Sequence, residues 1–470
     1  MNSVSAAGGF SRAERLVIAA CAISMLIVQM DWFALNLALP AMARDFDVPP
    51  TDLQWAISGY MLSIGALMVT AGRLADIFGR RRVIVIGLFV FGVLSAVCGA
   101  ALDETWLIAA RVAQGVGAAL IFPVAIAVAS STFSGPRQSR AIGIVLGFAA
   151  IGMALGPFVG GTFSEHVSWR GVFFINIPFC IAAMYLVLRY TKESRDETAE
   201  RRIDVPGILT ITASLVAISL GFDKGEAWGW GSAATVLVLA GGVCLLAVFV
   251  VIESRVRAPL IDLALFRNRP FDAIVIAGSL SNLVFCLVAV FSALYLQEAR
   301  ALSPFDSGLI FLGLSVGAGA TSYWSGRLAE HLPADRLMAA GMLISAAGIA
   351  GLTSVESLWI YTVFFFICGA GLGFGWGLTN VATQAVVRPE VAGAASGIAL
   401  TSLVMLGAVG VAIAASVLDL LAGSAEAAGA DTGALDAILW AGAALAVVGA
   451  AGLLLFARGH TPRAAAETAS

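Results

Sequence analysis

The sequence predicts an all-α membrane protein with fourteen spans, arranged as two six-helix halves with two additional central helices between them. Composition is the first observation. Of 470 residues, 60% are hydrophobic and only 12% charged, with a mean hydropathy of +0.94, whereas a soluble domain carries about a quarter charged residues. The second observation is length: a bilayer span needs about 20 apolar residues, and stretches of that size recur from Leu16 to Phe456 with short polar breaks. The third is repetition. "SGRLAEHLPADR" (Ser325 to Arg336) echoes "AGRLADIFGRRR" (Ala71 to Arg82), and "FFICGAGLGFGWG" (Phe365 to Gly377) echoes the glycine spacing of "RVAQGVGAALIF" (Arg111 to Phe122).

The first span is placed at 15–41. It follows Arg12 and Arg15, is too long for a signal-peptide core and shows no early small-residue cleavage site, so it is expected to stay as a helix. Spans at 53–72, 83–101, 106–132, 139–164 and 170–190 complete a first half over residues 1–190. The additional pair, 205–222 and 233–252, falls in 191–270 between basic linkers. Residues 271–470 hold spans at 271–296, 307–327, 335–354, 358–385, 392–418 and 435–457, then a short cytoplasmic tail. The echoes pair the second span with the tenth and the fourth with the twelfth, and two parallel halves with a site between them make a transporter architecture.

Charge sets the orientation. With the N-terminus inside, all but five of the 27 lysines and arginines fall in cytoplasmic segments; Arg44, Arg170, Lys224 and Arg300 lie outside, and Arg111 lies within a span. The bias holds only for an even number of spans. Both termini are therefore expected in the cytoplasm, with the chain in an inner (plasma) membrane.

Enzyme classes find no support in the residue inventory. Cys21, Cys98, Cys180, Cys244, Cys286 and Cys368 sit singly in apolar runs, without the C-x-x-C spacing of a metal or redox site, and read as small packing residues. His166, His331 and His460 are far apart in loops or the tail, so no metal centre or catalytic triad assembles. No G-x-x-x-x-G-K-[ST] segment occurs, so the chain binds no ATP through that motif. No cofactor and no nucleic-acid partner is expected.

Two intramembrane charges stand out. Asp31 interrupts the apolar run "LIVQMDWFALNLALP" (Leu26 to Pro40), and an ionised side chain in hydrocarbon faces a water-filled cavity or a partner charge. Arg111 is the one base deep in a span, six residues below the outer end of the fourth, or about 9 Å. Asp31 lies nine residues from Pro40, or about 14 Å. The compatible depths predict a pair. Desolvation opposes the ionised carboxylate and a nearby guanidinium favours it, so such an acid is poised to exchange a proton.

Two glycine-bearing motifs complete the reading. In "GRLADIFGRRR", Gly72 and Gly79 bracket a tight loop holding Arg73 and Asp76, with Arg80 opening a basic cluster; the acid can reach a helix N-terminus and the bases can grip carboxylates or lipid phosphates. In "GMALGPFVGG", Gly152, Gly156 and Gly160 fall four apart, with Pro157 and Gly161 beside them. Small residues on one stripe permit close helix packing, and the proline favours a kink.

These motifs, together with "DWFALNLALP" (Asp31 to Pro40), "LQWAISGYML" (Leu53 to Leu62), "RVAQGVGAA" (Arg111 to Ala119) and "WRGVFFINIP" (Trp169 to Pro178), resemble the major facilitator superfamily, in particular its fourteen-span drug:proton antiporter branch. The resemblance covers nearly the whole chain. It implies a major facilitator fold and proton-coupled export of amphipathic drugs by alternating access. Asp31 and Arg111 would couple protons, the loop after the second helix would latch the halves, and the glycine helix marks an exporter. It also implies a monomer contacting a small amphipathic molecule, protons and lipids, with use of a periplasmic partner left open. At helix 1 the chain departs from the family's Asp-x-Thr pattern: Phe33 stands where the hydroxyl belongs, and Trp32 adjoins the acid. The cavity wall is expected to comprise Trp32, Phe33 and Asn36 with Gln54, Trp55, Tyr60, Gln114, Phe122, Tyr295, Gln297 and Trp376, aromatic faces for flat or cationic drugs and amides to orient them. A metabolite transporter is the alternative; a membrane sensor or intramembrane enzyme fits less well.

Overall fold

The computed structural model describes residues 10–49, 52–133, 136–195, 204–256, 259, 263–329, 332–387, 392–422 and 431–456. The bases Arg201, Arg202, Arg257, Arg388, Arg458 and Arg463, with His331, His460 and the expected tail, lie outside them. The described residues contain no strand. The helices are α1 (Arg12–Phe46), α2 (Trp55–Phe78), α3 (Arg80–Gly99), α4 (Glu104–Thr132), α5 (Pro136–His166) and α6 (Gly171–Tyr190, with a turn at Ile175). There follow α7 (Val205–Asp223), α8 (Ala233–Glu253), α9 (Arg269–Leu294), α10 (Pro304–Leu328), α11 (Ala334–Leu352), α12 (Leu358–Val386), α13 (Ala392–Ala422) and α14 (Thr432–Phe456).

Twelve of the described helices are long and apolar enough to cross a membrane, or 13 if α2, bent by 47° near its middle, is one span. That falls short of the expected fourteen. The helix outside that set is α10, whose 25 residues include Asp306, Ser307, Ser315, Thr321 and Ser322.

Polar breaks start the helices where capping chemistry is available. Ser11 Oγ accepts from the Glu14 amide at 3.3 Å while Glu14 Oε2 accepts from the Ser11 amide at 2.7 Å, a capping box at the head of α1. Asp103 caps α4 by accepting from Trp106 N at 2.7 Å, and Ser232 caps α8 by accepting from Thr235 N at 3.2 Å. The link from α2 to α3 needs a glycine, because Gly79 takes φ +108°.

Helix α1 is the hub of the first six helices, packing on α4, α5 and α6, while α2 and α3 both pack on α4. In the last six, α9 packs on α12, α13 and α14, and α12 also on α10 and α11. The two groups meet chiefly through α5 with α10 and α2 with α13. These seams are equivalent, since exchanging the halves turns the second helix into the tenth and the fifth into the thirteenth. The α7–α8 hairpin pairs with itself and rests through α7 on α13 and α2, leaving most of α8 facing outward. An outward face of leucine and valine, such as Leu237, Val243 and Val248, is what a hydrocarbon environment accepts.

Candidate functional site

Asp31 sits at the middle of α1 on the face turned into the first half. It is 1% exposed and Arg111 is 0% exposed, so both charges are removed from solvent and each needs partners to hold it there. Arg111 Nη1 donates to Asp31 Oδ2 at 2.5 Å and to Gln114 Oε1 at 2.9 Å, while its Nε donates to the Ala56 carbonyl at 3.1 Å. The guanidinium carbon lies 3.9 Å from the centre of the Tyr60 ring, a cation–π contact in a desolvated site. The pair expected from depth arithmetic is therefore formed.

The other carboxylate oxygen is held by neutral amides. Asp31 Oδ1 accepts from Asn176 Nδ2 at 2.7 Å and from Gln114 Nε2 at 3.4 Å. Asn176 Nδ2 also donates to Ser95 Oγ at 3.0 Å, and that hydroxyl donates to the Phe173 carbonyl at 2.8 Å. Five helices thus build the pocket: α1, α2, α3, α4 and α6. Sequence reasoning missed Asn176 and Ser95. The signal present was Asn176 within "WRGVFFINIP", a polar residue inside an otherwise apolar span.

Tyr60 and Gln114, expected on the cavity wall, pack instead against the ion pair. The opposite face of α1 looks toward the second half. Phe33 meets Phe285 of α9 edge-on at 5.2 Å and stacks beside Trp32 at 5.6 Å. Asn36, 6% exposed, and Gln29, 0% exposed, lie on this side by helical spacing, and neither amide of Gln29 nor Asn36 Oδ1 has a hydrogen-bond partner among the described residues. Gln29 is a third residue the sequence reading passed over. Phe122 of α4 meets Trp376 of α12 edge-on at 6.3 Å, and Trp376 Nε1 donates to Asn282 Oδ1 at 2.8 Å. Gln297 Nε2 donates to the Leu37 carbonyl at 3.2 Å. Phe33, Phe122, Trp376 and Gln297 thus all lie where the halves face each other. Tyr295 stacks on Tyr361 at 5.7 Å within the second half, Gln54 is buried at the head of α2, and Trp55 beside it is half-buried.

The α5 stripe explains its glycines. A Cβ on Gly152 would lie 2.3 Å from the Leu26 carbonyl oxygen of α1, one on Gly156 2.7 Å from Phe33 Cβ, and one on Gly160 2.0 Å from the Ala34 carbonyl oxygen. Gly161 turns the other way: its Cβ would sit 2.2 Å from the Pro304 carbonyl of α10. Pro157 also faces α10, its carbonyl beside Gly308. The helix is thereby wedged between α1 of its own half and α10 of the other.

The segment expected as a loop after the second helix is helical instead: Gly72, Arg73 and Asp76 lie in the last turns of α2, and only Gly79 separates it from α3. This junction is held against the residues just after α6. Asp76 pairs with Arg80 at 2.8 Å, Arg80 N donates to the Ser194 carbonyl at 2.9 Å, and Arg81 N donates to Glu193 Oε1 at 3.0 Å. Gly72 has open space around it, and Arg73 is half-buried with its Nε unpaired among the described residues. No group of three or more His, Cys, Asp or Glu that could hold a metal occurs among the described residues.

A family model described as "Major Facilitator Superfamily" matches residues 21–411 and 273–469. The chain is 32% identical over 401 residues to the tetracenomycin C resistance and export protein of Streptomyces glaucescens, covering 84% of this chain and 74% of that one. It is 35% identical over 417 residues to a cephamycin export protein of Amycolatopsis lactamdurans, covering 86% and 84%. The fold resembles the crystal structure of a bacterial homologue of the human lysosomal transporter Spinster in an inward-facing, unoccupied conformation, with a TM-score of 0.69 at 16% identity over 96% of this chain and 98% of that one.

Proposed function

Because the chain belongs to the major facilitator superfamily, a family of transporters rather than enzymes, we propose that it is a proton-coupled antiporter exporting amphipathic drugs by alternating access. One observation carries the coupling: an acid with full burial, a cationic partner and two neutral amide partners, at the centre of the helix that contacts both halves. The names of its relatives support export of antibiotic-like molecules as the direction and class of transport. Residues 1–190 and 271–470 act as the moving halves, 191–270 adds the peripheral pair, and the chain crosses an inner membrane fourteen times with both termini cytoplasmic.

Substrate and proton occupy opposite faces of α1. Phe33, Asn36, Phe122, Gln297 and Trp376 bound the drug site, while Asp31 points into the first half. Drug and proton therefore compete through the position of α1, not through direct contact. A proton on Asp31 removes the negative charge that Arg111 faces while Arg111 keeps its hydrogen bond to Oδ2, loosening α1 to shift against the α5 glycines, and α5 carries that shift to α10 across the seam. The start of α3 binds Glu193 through the Arg81 amide and the Arg82 side chain in this conformation, and the α2–α3 junction is free to engage the second half in another.

The test uses reconstituted vesicles with an imposed pH gradient and a panel of dyes, biocides and antibiotics. The wild type is expected to drive drugs uphill, and Asp31→Asn to abolish uphill export and drug-driven proton release while neutral-drug binding survives. Uphill export by Asp31→Asn at the wild-type rate would make this acid structural.

A further inference from the structure

We infer that Asn176 is the positioning residue that lets Asp31 exchange a proton while Arg111 stays in place, an inference that rests on the proton coupling proposed above. The two carboxylate oxygens are held differently. Oδ2 accepts from Arg111, whereas Oδ1 accepts from Asn176 Nδ2 and Gln114 Nε2. A proton arriving on Oδ2 confronts a guanidinium, which has donors only. A proton arriving on Oδ1 confronts amides, which carry an acceptor as well as donors.

The acceptor is already in place. Asn176 is fully buried, and its Oδ1 has no hydrogen-bond partner among the described residues, an omission that a buried carbonyl ordinarily does not tolerate. Half a turn of the amide about its last torsion brings Oδ1 to where Nδ2 now lies. Ser95 makes the exchange reversible. Its hydroxyl accepts from Asn176 Nδ2 and donates to the Phe173 carbonyl; with the amide turned, the same hydroxyl rotates to donate to Asn176 Oδ1. In the carboxylate state the amide donates to Asp31 and to Ser95. In the acid state it accepts from both. One proton is added at Asp31 Oδ1, no covalent bond between heavy atoms changes, and Arg111 keeps Oδ2.

Local structure gives the amide its reach. The sixth helix is interrupted at Ile175, Asn176 opens its second segment, and Pro178 two residues on lacks the N–H that would close the preceding turn. The other titratable groups facing Asp31 are Arg111 on α4, Tyr60 on α2, Cys98 on α3 and Cys180 on α6. Among the described residues α5 brings no charged side chain to this pocket: its contacts with α1 there are Gly152, Gly156 and Gly160.

The experiment compares Asn176→Leu, which can neither donate nor accept, with Asn176→Ser, whose hydroxyl does both. Drug-driven proton release is followed across pH in vesicles, with neutral-drug binding as the check on folding. Asn176→Leu is expected to lower the maximal exchange rate about tenfold at every pH, the cost of an unpaired buried O–H, with drug binding within about twofold of wild type. Asn176→Ser is expected to recover most of the rate. A leucine protein that keeps the wild-type maximum and only moves its pH midpoint would show a fixed donor and overturn the inference, as would one indistinguishable from wild type. Should the leucine protein fail to bind drug, the serine protein decides: a loss of tenfold or more there overturns it too. Asp31→Asn, run alone beside them, reads the coupling itself and separates its failure from a failure of Asn176.

Discussion

Arg111 does four jobs from one side chain: it pairs with Asp31, binds Gln114, ties α4 to the Ala56 carbonyl of α2, and covers the Tyr60 ring. Only a planar fork reaches all of these at once. A lysine keeps the charge but presents a compact ammonium that satisfies Asp31 at most with one neighbour. Arg111→Lys is therefore expected to lose about 1.5–3 kcal/mol, the worth of hydrogen bonds to a charged group, read as a lower unfolding temperature in detergent, with export surviving at reduced rate. An unchanged unfolding temperature would mean that the charge alone holds the site. The pairing of Asp31 with Arg111 was legible because depth along a helix follows from residue count. Asn176 and Ser95 were not, because a lone asparagine or serine in an apolar span looks the same whether it meets a carboxylate or its own helix. Tyr60 and Gln114 show the same limit: spacing identifies a polar or aromatic position, while only the packed bundle decides which neighbour it meets.

At the scale of elements, α5 lies between the Asp31–Arg111 pocket and the seam. Its stripe presses on α1 at Leu26, Phe33 and Ala34, positions that flank Asp31. One methyl tests the contact. Gly160→Ala places a carbon 2.0 Å from the Ala34 carbonyl oxygen, which is backbone and cannot swing aside, whereas Gly147 on the same helix has nothing within 4 Å of an added Cβ. Overpacking of a close contact costs about 1–3 kcal/mol. Gly160→Ala is expected to lower both stability and transport, while Gly147→Ala, with its better helix propensity, leaves both at or above wild type. Equal behaviour of the two would remove the stripe from the mechanism. The sequence displayed this stripe as a four-residue period, and the period correctly predicted close packing. It could not reveal that Gly161, one residue on, points to the other half, because that depends on a helix more than a hundred residues away.

For the whole molecule, the two seams α5·α10 and α2·α13 decide which side is open. In the proposed orientation, with the N-terminus cytoplasmic, the ends of α1 and α5 and the start of α10 lie at the outer face, and there the halves are joined. Gly161 meets Pro304, Phe158 and His166 lie against Phe305, and the Phe305 amide donates to Glu165 Oε2 at 2.9 Å. The repeats in the sequence foretold two halves, but not which face they close, since a repeat is silent about the state of the seam. A large side chain at Gly161 cannot coexist with the Pro304 carbonyl at 2.2 Å from its Cβ. Gly161→Trp should therefore wedge the outer seam apart and shift the population toward the outward-open state, since a state that must absorb such a clash is disfavoured by several kcal/mol or about a hundredfold or more. The readout is a Phe305→Cys protein labelled from outside intact cells by a membrane-impermeant maleimide, with Cys244, the exposed native cysteine, replaced beforehand. Labelling is expected to be slow in the Phe305→Cys protein and many times faster once Gly161→Trp is added, and export should fall because the wedged protein cannot close. If labelling stays slow with tryptophan in place, the Gly161–Pro304 contact is not what holds the outer face shut, and α2 against α13 must carry the gate instead.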